Sequence, residues 1–377
     1  MQFSPDGNTV AATNLDAYRR NLEKIIRFIG SPVRLMAVVK ANAYGHGMVE
    51  CARTAFETGV SMLGVAYASE GVLLRQAHIT APVLVMGPDS FDNLGIMIDN
   101  DLTIALTSFE MLEVLKKTLA SRAAACKVHI KVDTGMGRIG IQHDRAMELV
   151  EDAWNTYGIT VEGIFSHFPS ADEDKDPFSR EQIKKFATLL ETLSQRGKRP
   201  EIAHICNSAG TLKFSEAHFD LVRTGIMTYG LIPYPGSNEI LEVEPVLSLQ
   251  SRITFIKEVP AGFPVSYGNT FVTKRASRLA TIPVGYAHGY KRHLSNKGKA
   301  IVNGVPVPTA GRVCMDQTVF DITDAGDARL GDPVILIGSQ GNARITAEDH
   351  AEIGGTITHE IVTGITDRVS RTFIKTS

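Results

Sequence analysis

The residues from Arg34 to Met48, RLMAVVKANAYGHGM, concentrate more chemistry than any other part of the chain. An apolar run, Leu35 to Val39, ends at Lys40, and a small-residue turn carrying Tyr44, Gly45, His46 and Gly47 follows. Such a run, with β-branched members, reads as a buried strand. A lysine at the C-terminal end of a buried strand, facing a pocket, gives up its proton more readily than a solvated one. The neutral amine is the form that makes a Schiff base with an aldehyde. The competing fate is a lysine that simply snorkels to water. Against it stand Gly45 and Gly47, which allow close backbone approach, and Tyr44, whose phenol suits an anion.

Other segments have the composition of binding loops. KVDTGMGRIG, Lys131 to Gly140, is glycine-rich and basic. It reads either as a polar turn leading into a helix or as a site. In the second reading Asp133 holds a cation, Arg138 binds a carboxylate or phenolate, and Lys131 and Arg138 share an electrostatic network. HICNSAGTL, from His204, ends a strand and opens a helix, so Ser208 stands where an anion is favoured, or Asn207 or Ser208 is only the cap. VRTGIMTYG sets Arg223 beside the amides of Gly225 and Ile226. Tyr267, in VSYGNT, lies between Ser266 and Gly268 in a turn, a setting more common for packing than for chemistry. His46, His167 and His204 come from different segments without HxH or HExxH spacing, so structural histidines are expected rather than a metal. No GxGxxG points to a dinucleotide.

These residues need a scaffold, and the chain supplies an ordinary globular one. Its 377 residues are 44% hydrophobic and 21% charged, enough for two domains. A net charge of -2 implies no pull toward nucleic acid or an anionic membrane. Four cysteines, Cys51, Cys126, Cys206 and Cys314, stand far apart with no CxxC, which fits a reducing compartment. The opening MQFSPDGNTV has no basic start and no apolar core, so no signal peptide is expected, and no apolar run reaches membrane-spanning length. The expectation is a cytoplasmic protein.

Apolar runs recur through the first part of the chain, beginning at Arg34, Met62, Pro82, Leu102, Lys127, Val161, Glu201 and Asp220. Helical spacing separates them, as in FEMLEVLKKTLA from Phe109 and REQIKKFATLLETLSQR from Arg180. Before the first strand, NLDAYRRNLEKIIRFIG reads as a helix capped by Asn14 and ended by Gly30. Strand and helix alternating through eight strands predict an α/β fold, a parallel (β/α)8 barrel, with an open doubly wound sheet as the runner-up. In a barrel the C-terminal strand ends line the active site. Here they carry Lys40, Lys131 to Arg138, His167, Asn207, Ser208 and Arg223 to Gly225. After Pro233 the texture changes. ILEVEPVLSLQSRITFIKEV alternates in period two, and Gly and Pro punctuate the rest of the chain. Only TAEDHAEIG, from Thr346, suggests a short helix there. The expected domains are residues 1–236, the barrel, and 237–377, mainly β.

The segments AVVKANAYGHG, KVDTGMGRIG, HICNSA, VRTGIMTYG, VSYG, PVGYAHGY and GRVCMDQ, in this order, resemble the successive signatures of the alanine racemases. The likeness runs from about Asn14 to Arg371. It implies a (β/α)8 barrel with a C-terminal β domain, pyridoxal 5'-phosphate as cofactor, and interconversion of L- and D-alanine that supplies peptidoglycan synthesis. Lys40 would bind the cofactor covalently and act as one catalytic base. Tyr267 would be the second, reaching the barrel mouth of a partner in a homodimer. Arg223 would bond the pyridine nitrogen, with His167 behind it. Arg138 would steady the cofactor's phenolic oxygen and the substrate carboxylate. Lys131 matches a lysine that is often carbamylated in the family, which would orient Arg138. Tyr44, Ser208, Gly225 and Ile226 would hold the phosphate. Tyr286 and Met315 would line the substrate entrance and carboxylate site of the partner.

The sequence departs from the family pattern at His359, where a tyrosine is usual, and at His288, where an aspartate is usual. His359 favours, as the alternative, a racemase of serine or of a broader amino-acid set. A non-catalytic pyridoxal phosphate-binding protein is disfavoured by the second domain with Tyr267. A metal hydrolase built on carbamylated Lys131 and the histidines is the remaining alternative.

Overall fold

The structure, a computed structural model, describes residues 8–87, 89–173 and 177–375. The opening residues 1–7, which carry most of the segment without signal-peptide character, lie outside them. The described chain forms two compact units. One comprises Tyr18–Ala43 and Met48–Glu244; the other comprises the residues up to Ala17, Tyr44–Gly47 and those from Pro245 onward.

The chain opens with strand β1, Val10–Asn14, which belongs to the second unit. A helix, Leu15–Ile29, follows. Asn14 caps it, its Oδ1 accepting from the amides of Asp16 and Ala17 at 3.1 and 3.0 Å. Gly30, at φ 66°, ends it, as the sequence predicts.

The barrel strands are β2 (Arg34–Val38), β3 (Met62–Val65), β4 (Val83–Val85), β5 (Thr103–Leu106) and β6 (Cys126–Asp133), with a short β7 (Ile141–Gln142) paired to β6. After these come β8 (Ile159–Phe165), β9 (Ile202–His204) and β10 (Leu221–Thr224). They run parallel in the order β10-β2-β3-β4-β5-β6-β8-β9. The amides of Asp220 and Arg223 donate to the carbonyls of Ala203 and Cys206, each at 3.1 Å, and draw the last two strands together. The predicted eight strands are all present. Their inward side chains Met36, Met62, Leu84, Ala105, Phe165, Ile202 and Leu221 pack as one buried cluster, so the barrel is filled and not a pore. The C-terminal ends of the strands are left to do chemistry.

In the second unit β1 pairs antiparallel with β11 (Leu247–Arg252). The unit continues through β12 (Phe255–Val259), β13 (Pro264–Val265), β14 (Phe271–Val272), β15 (Ser277–Ile282), β16 (Lys299–Val302) and β17 (Val305–Pro308). It ends with β18 (Thr318–Asp321), β19 (Pro333–Gln340), β20 (Ala343–Ile345) and β21 (Ser370–Ile374). Its largest sheet has the order β17-β16-β19-β11-β1-β21, with β20 on β19. A smaller sheet runs β12-β15-β18, and β13 and β14 form a hairpin. The alternation expected from Ile240 starts only at Leu247, because residues Ser237–Ile240 form a helical turn and Pro245 has no amide to give a ladder. The short helix expected from Thr346 is Ala347–Gly354, capped by Thr346; a second, Thr358–Thr363, was not expected. No helix among the described residues is long and apolar enough to cross a membrane.

Candidate active site

Lys40 leaves the end of β2 half-buried. The next residues turn the wrong way for L-amino acids: Ala41, Asn42 and Ala43 lie at φ 52–55° and ψ 45–51°, and Tyr44 follows at φ 52°. A left-handed turn costs about 1–2 kcal/mol per such residue, so it has to be imposed from outside. The Ala43 amide donates to the Val39 carbonyl at 2.8 Å, and the Met48 amide to Asn42 Oδ1 at 2.8 Å. The Ala41 amide donates to Glu70 Oε1 at 2.7 Å. The Lys40 amine has its pKa lowered, first by burial and then by the charges of Arg138 and Arg223, while Glu70 opposes them. A lowered pKa favours the neutral amine, the form that a nucleophile or base requires.

Arg223, on β10, is 4% exposed and is the hub of the barrel site. One terminal nitrogen, Nη1, donates to His204 Nδ1 at 2.8 Å; the other, Nη2, donates to the carbonyls of Ser166 and Ile205 at 2.9 Å and to His167 Nδ1 at 3.1 Å. A guanidinium only donates, so the direction of the bonds beyond it is fixed. His204 Nδ1 must accept, which puts the proton of that ring on Nε2, 2.8 Å from His129 Nδ1. His129 then donates from its own Nε2 to Glu162 Oε2 at 3.2 Å, and Lys127 pairs with the other carboxylate oxygen at 2.6 Å. Burial lowers the pKa of all three histidines and keeps them neutral. The hydrogen bond from His129, aided by Lys127, holds the Glu162 carboxyl down at about 2. Burial brings Arg223 down to about 10, still cationic at neutral pH.

Gly163 makes room for this relay, since a Cβ there would lie 2.5 Å from His129 Nδ1. The metal reading of His46, His167 and His204 gives way to these hydrogen bonds: the latter two serve Arg223, and His46 lies in the other unit with Nδ1 2.9 Å from the Tyr44 carbonyl oxygen. Among the described residues no group of three or more His, Cys, Asp or Glu is arranged to hold a metal ion.

Lys131, on β6, is 3% exposed, yet among the described residues its Nζ has no hydrogen-bond partner, and it sits 4.7 Å from the centroid of the Phe165 ring. Its pKa falls well below the ordinary value through burial and then the charges of Arg223 and Arg138. A buried amine with no acceptor is costly. The lowered pKa favours its neutral, nucleophilic form, and an acid group built on it would face the charges of Arg138 and Arg223. Arg138 itself is exposed. Asp133 accepts from the amides of Gly135 and Gly137 at 2.8 and 2.9 Å and so ties its own loop together, while its charge opposes the fall of the Lys131 pKa. Ser208 Oγ accepts from the amides of Gly225 and Met227 at 3.1 and 3.4 Å, and Ile226 is buried between them in the chain. The cap of the helix Ser208–Lys213 is Asn207.

Four expected site residues belong to the β-rich unit. Tyr44 lies beside His359, ring centroids 5.8 Å apart, and burial raises its pKa to about 12. Tyr267 opens a turn held by Ser266, whose hydroxyl donates to the Arg312 carbonyl at 2.6 Å. Its ring is 69% exposed in the single chain. Tyr286 and Met315 are brought together by paired backbone bonds: Tyr286 N to Cys314 O and Ala287 N to Met315 O, both 3.0 Å. Both side chains are exposed. His288 is buried and accepts from the Gly285 amide at Nδ1, 3.3 Å, a structural role.

The alanine racemase N-terminal domain model matches residues 13–233, and the C-terminal domain model matches 246–373. The chain belongs to the alanine racemase family. It is 42% identical to alanine racemase 2 of Caldanaerobacter subterraneus subsp. tengcongensis over 97% of this chain and 95% of that one. Its fold matches the alanine racemase of Bacillus anthracis with bound L-Ala-P, at a TM-score of 0.92 and 38% identity, covering 100% of this chain and 96% of that one. It also matches the alanine racemase of Clostridium difficile 630 in complex with cycloserine, at a TM-score of 0.91 and 32% identity, covering 99% and 96%.

Alanine racemases depend on pyridoxal 5'-phosphate. The donor set fits that group: a depressed lysine for its aldehyde, a buried guanidinium, and a hydroxyl with backbone amides for anionic oxygens. Sequence reading passed over Glu70, His129, Glu162 and Gly163. The one available signal was Gly163, a glycine inside a strand, which marks a close approach.

Proposed function

We propose that this chain is a cytoplasmic alanine racemase that interconverts L- and D-alanine between two bases. The observation that carries the reading is Lys40, a half-buried amine of lowered pKa at the mouth of a barrel that also buries the Arg223 guanidinium, the Lys131 amine and the His204 imidazole. The chemistry that pyridoxal 5'-phosphate would supply there is withdrawal of electron density from the substrate's Cα, which would let the proton on it leave. Lys40 Nζ takes or returns that proton on one face. Tyr267 Oη does so on the other, and each is acid when its counterpart is base.

Arg223 would donate to the pyridine nitrogen and would not protonate it, because its own pKa of about 10 lies well above that of a pyridine. An unprotonated ring would be a weaker electron sink, which would restrain side reactions. Arg138, oriented by a carbamate on Lys131, receives the substrate carboxylate. Ser208, with the amides of Gly225 and Ile226, and Tyr44 hold the phosphate, and His167 steadies Arg223. The exposure of Tyr267, Tyr286 and Met315 supports a homodimer in which each β-rich domain, from about residue 237, completes the partner's site. D-Alanine made this way would serve peptidoglycan synthesis.

The test is direct. Purified protein should show the visible absorbance of lysine-bound pyridoxal phosphate and interconvert the alanine enantiomers. Borohydride should fix the cofactor on Lys40. A Lys40→Ala protein with full activity would end the reading. His359 beside Tyr44 favours a second reading, a racemase of serine or a broader set. Relative rates on alanine, serine and lysine decide between the two.

A further inference from the structure

Glu70 stands at the third position of the helix Ala68–Gln76, after β3, where a glutamate reaches back to cap the helix. Its contacts go further. Oε2 accepts from the amides of Ala66 and Tyr67 at 2.7 and 3.3 Å, which caps the helix. Oε1 reaches a different element and accepts from the Ala41 amide at 2.7 Å. One carboxylate therefore ties the end of β3 to the first residue of the left-handed turn that presents Lys40. Capping needs only the first of these two oxygens. No glycine eases the turn at positions 41 to 43, so its geometry depends on such external ties.

We propose that Glu70 is a positioning residue for Lys40, holding the turn in the orientation that aims the amine into the barrel mouth. Its charge also faces that amine, opposing Arg138 and Arg223. Three amide hydrogens meet two carboxylate oxygens here. Glu70→Gln puts an NH2 against one of those amides and breaks one arm of the bridge. Glu70→Asp keeps the charge and the local cap but, one methylene shorter, cannot span to Ala41. The proposal rests on the reading of Lys40 as the cofactor-bearing base.

The experiment compares wild type with Glu70→Gln and Glu70→Asp in the full-length chain. Three measurements are made: steady-state kinetics giving kcat and KM for alanine, backbone amide exchange at Ala41 to Ala43 without cofactor, and borohydride trapping of added pyridoxal phosphate on Lys40. Expected are a fall in kcat of tenfold or more with KM within threefold, and exchange at Ala41 faster by tenfold or more with β2 and β3 unchanged. Trapping on Lys40 should persist in both variants. Unchanged exchange at Ala41, or kcat within twofold of wild type in the aspartate variant, overturns the proposal. Failure to trap the cofactor on Lys40 in the wild type sinks the underlying reading instead, so the two failures are told apart. If the glutamine variant does not fold, the aspartate variant, with its cap intact, carries the test alone.

Discussion

Replacing Glu162 by Gln removes the charge that ends the relay Arg223–His204–His129–Glu162 while preserving its shape. The folded chain holds this carboxyl at about 2 against an ordinary 4.5, which at about 1.4 kcal/mol per tenfold sets an upper bound of about 3 kcal/mol at neutral pH. The side chain is 14% exposed, so water screens part of this, and about 1.5–3 kcal/mol is expected. The sign follows from a depressed carboxylate: the contribution is complete above the unfolded value and is lost as pH falls through the folded one. At about pH 3.5 the upper bound has dropped to about 2 kcal/mol. Urea unfolding of both proteins, at equal protein and cofactor concentration, reads the difference at each pH. Imidazole nitrogen NMR adds a second reading: His129 and His204 should both carry their proton on Nε2 and be neutral at neutral pH. A difference below about 0.5 kcal/mol at neutral pH, or one that grows on acidification, refutes the relay as an energetic unit.

Lys131→Ala should lose most of its activity and recover part of it in millimolar short carboxylates, and labelled bicarbonate should give a carbamate carbon signal in wild type but not in the variant. Mixing inactive Lys40→Ala and Tyr267→Phe proteins should restore about a quarter of wild-type activity, since half the dimers are mixed and one of their two sites is intact; no recovery would place both bases in one chain. Ser208→Ala leaves the Gly225 and Met227 amides without their hydroxyl acceptor, and cofactor binding measured by titration of its absorbance should weaken by about tenfold. Gly163→Ala drives a methyl against the His129 ring and should destabilise by about 1–3 kcal/mol with a fall in kcat.

The barrel was legible because buried parallel strands write themselves as short apolar runs separated by helical spacing, and each run from Arg34 to Asp220 became a strand. The reactive ends were legible for the same reason: Lys40, Lys131, Ser208 and Arg223 are polar groups placed where an apolar run stops. Local chemistry also fixed the cap at Asn14 and the helix after Thr346. Pairing between distant segments was beyond that reach. Residues 8–17 read as a prelude to the barrel, but β1 lies between β11 and β21 in the other sheet, and nothing in five residues names partners more than two hundred positions away. The left-handed turn after Lys40 is invisible in Ala-Asn-Ala, because its handedness is imposed by Glu70, Val39 and Met48 and not by those residues' own preference. His129 and Glu162 look like ordinary members of strands, and only the closing of the sheet aligns them behind Arg223. Sequence determines which groups can react; the tertiary structure decides which are desolvated together, and desolvation sets the protonation on which the chemistry runs.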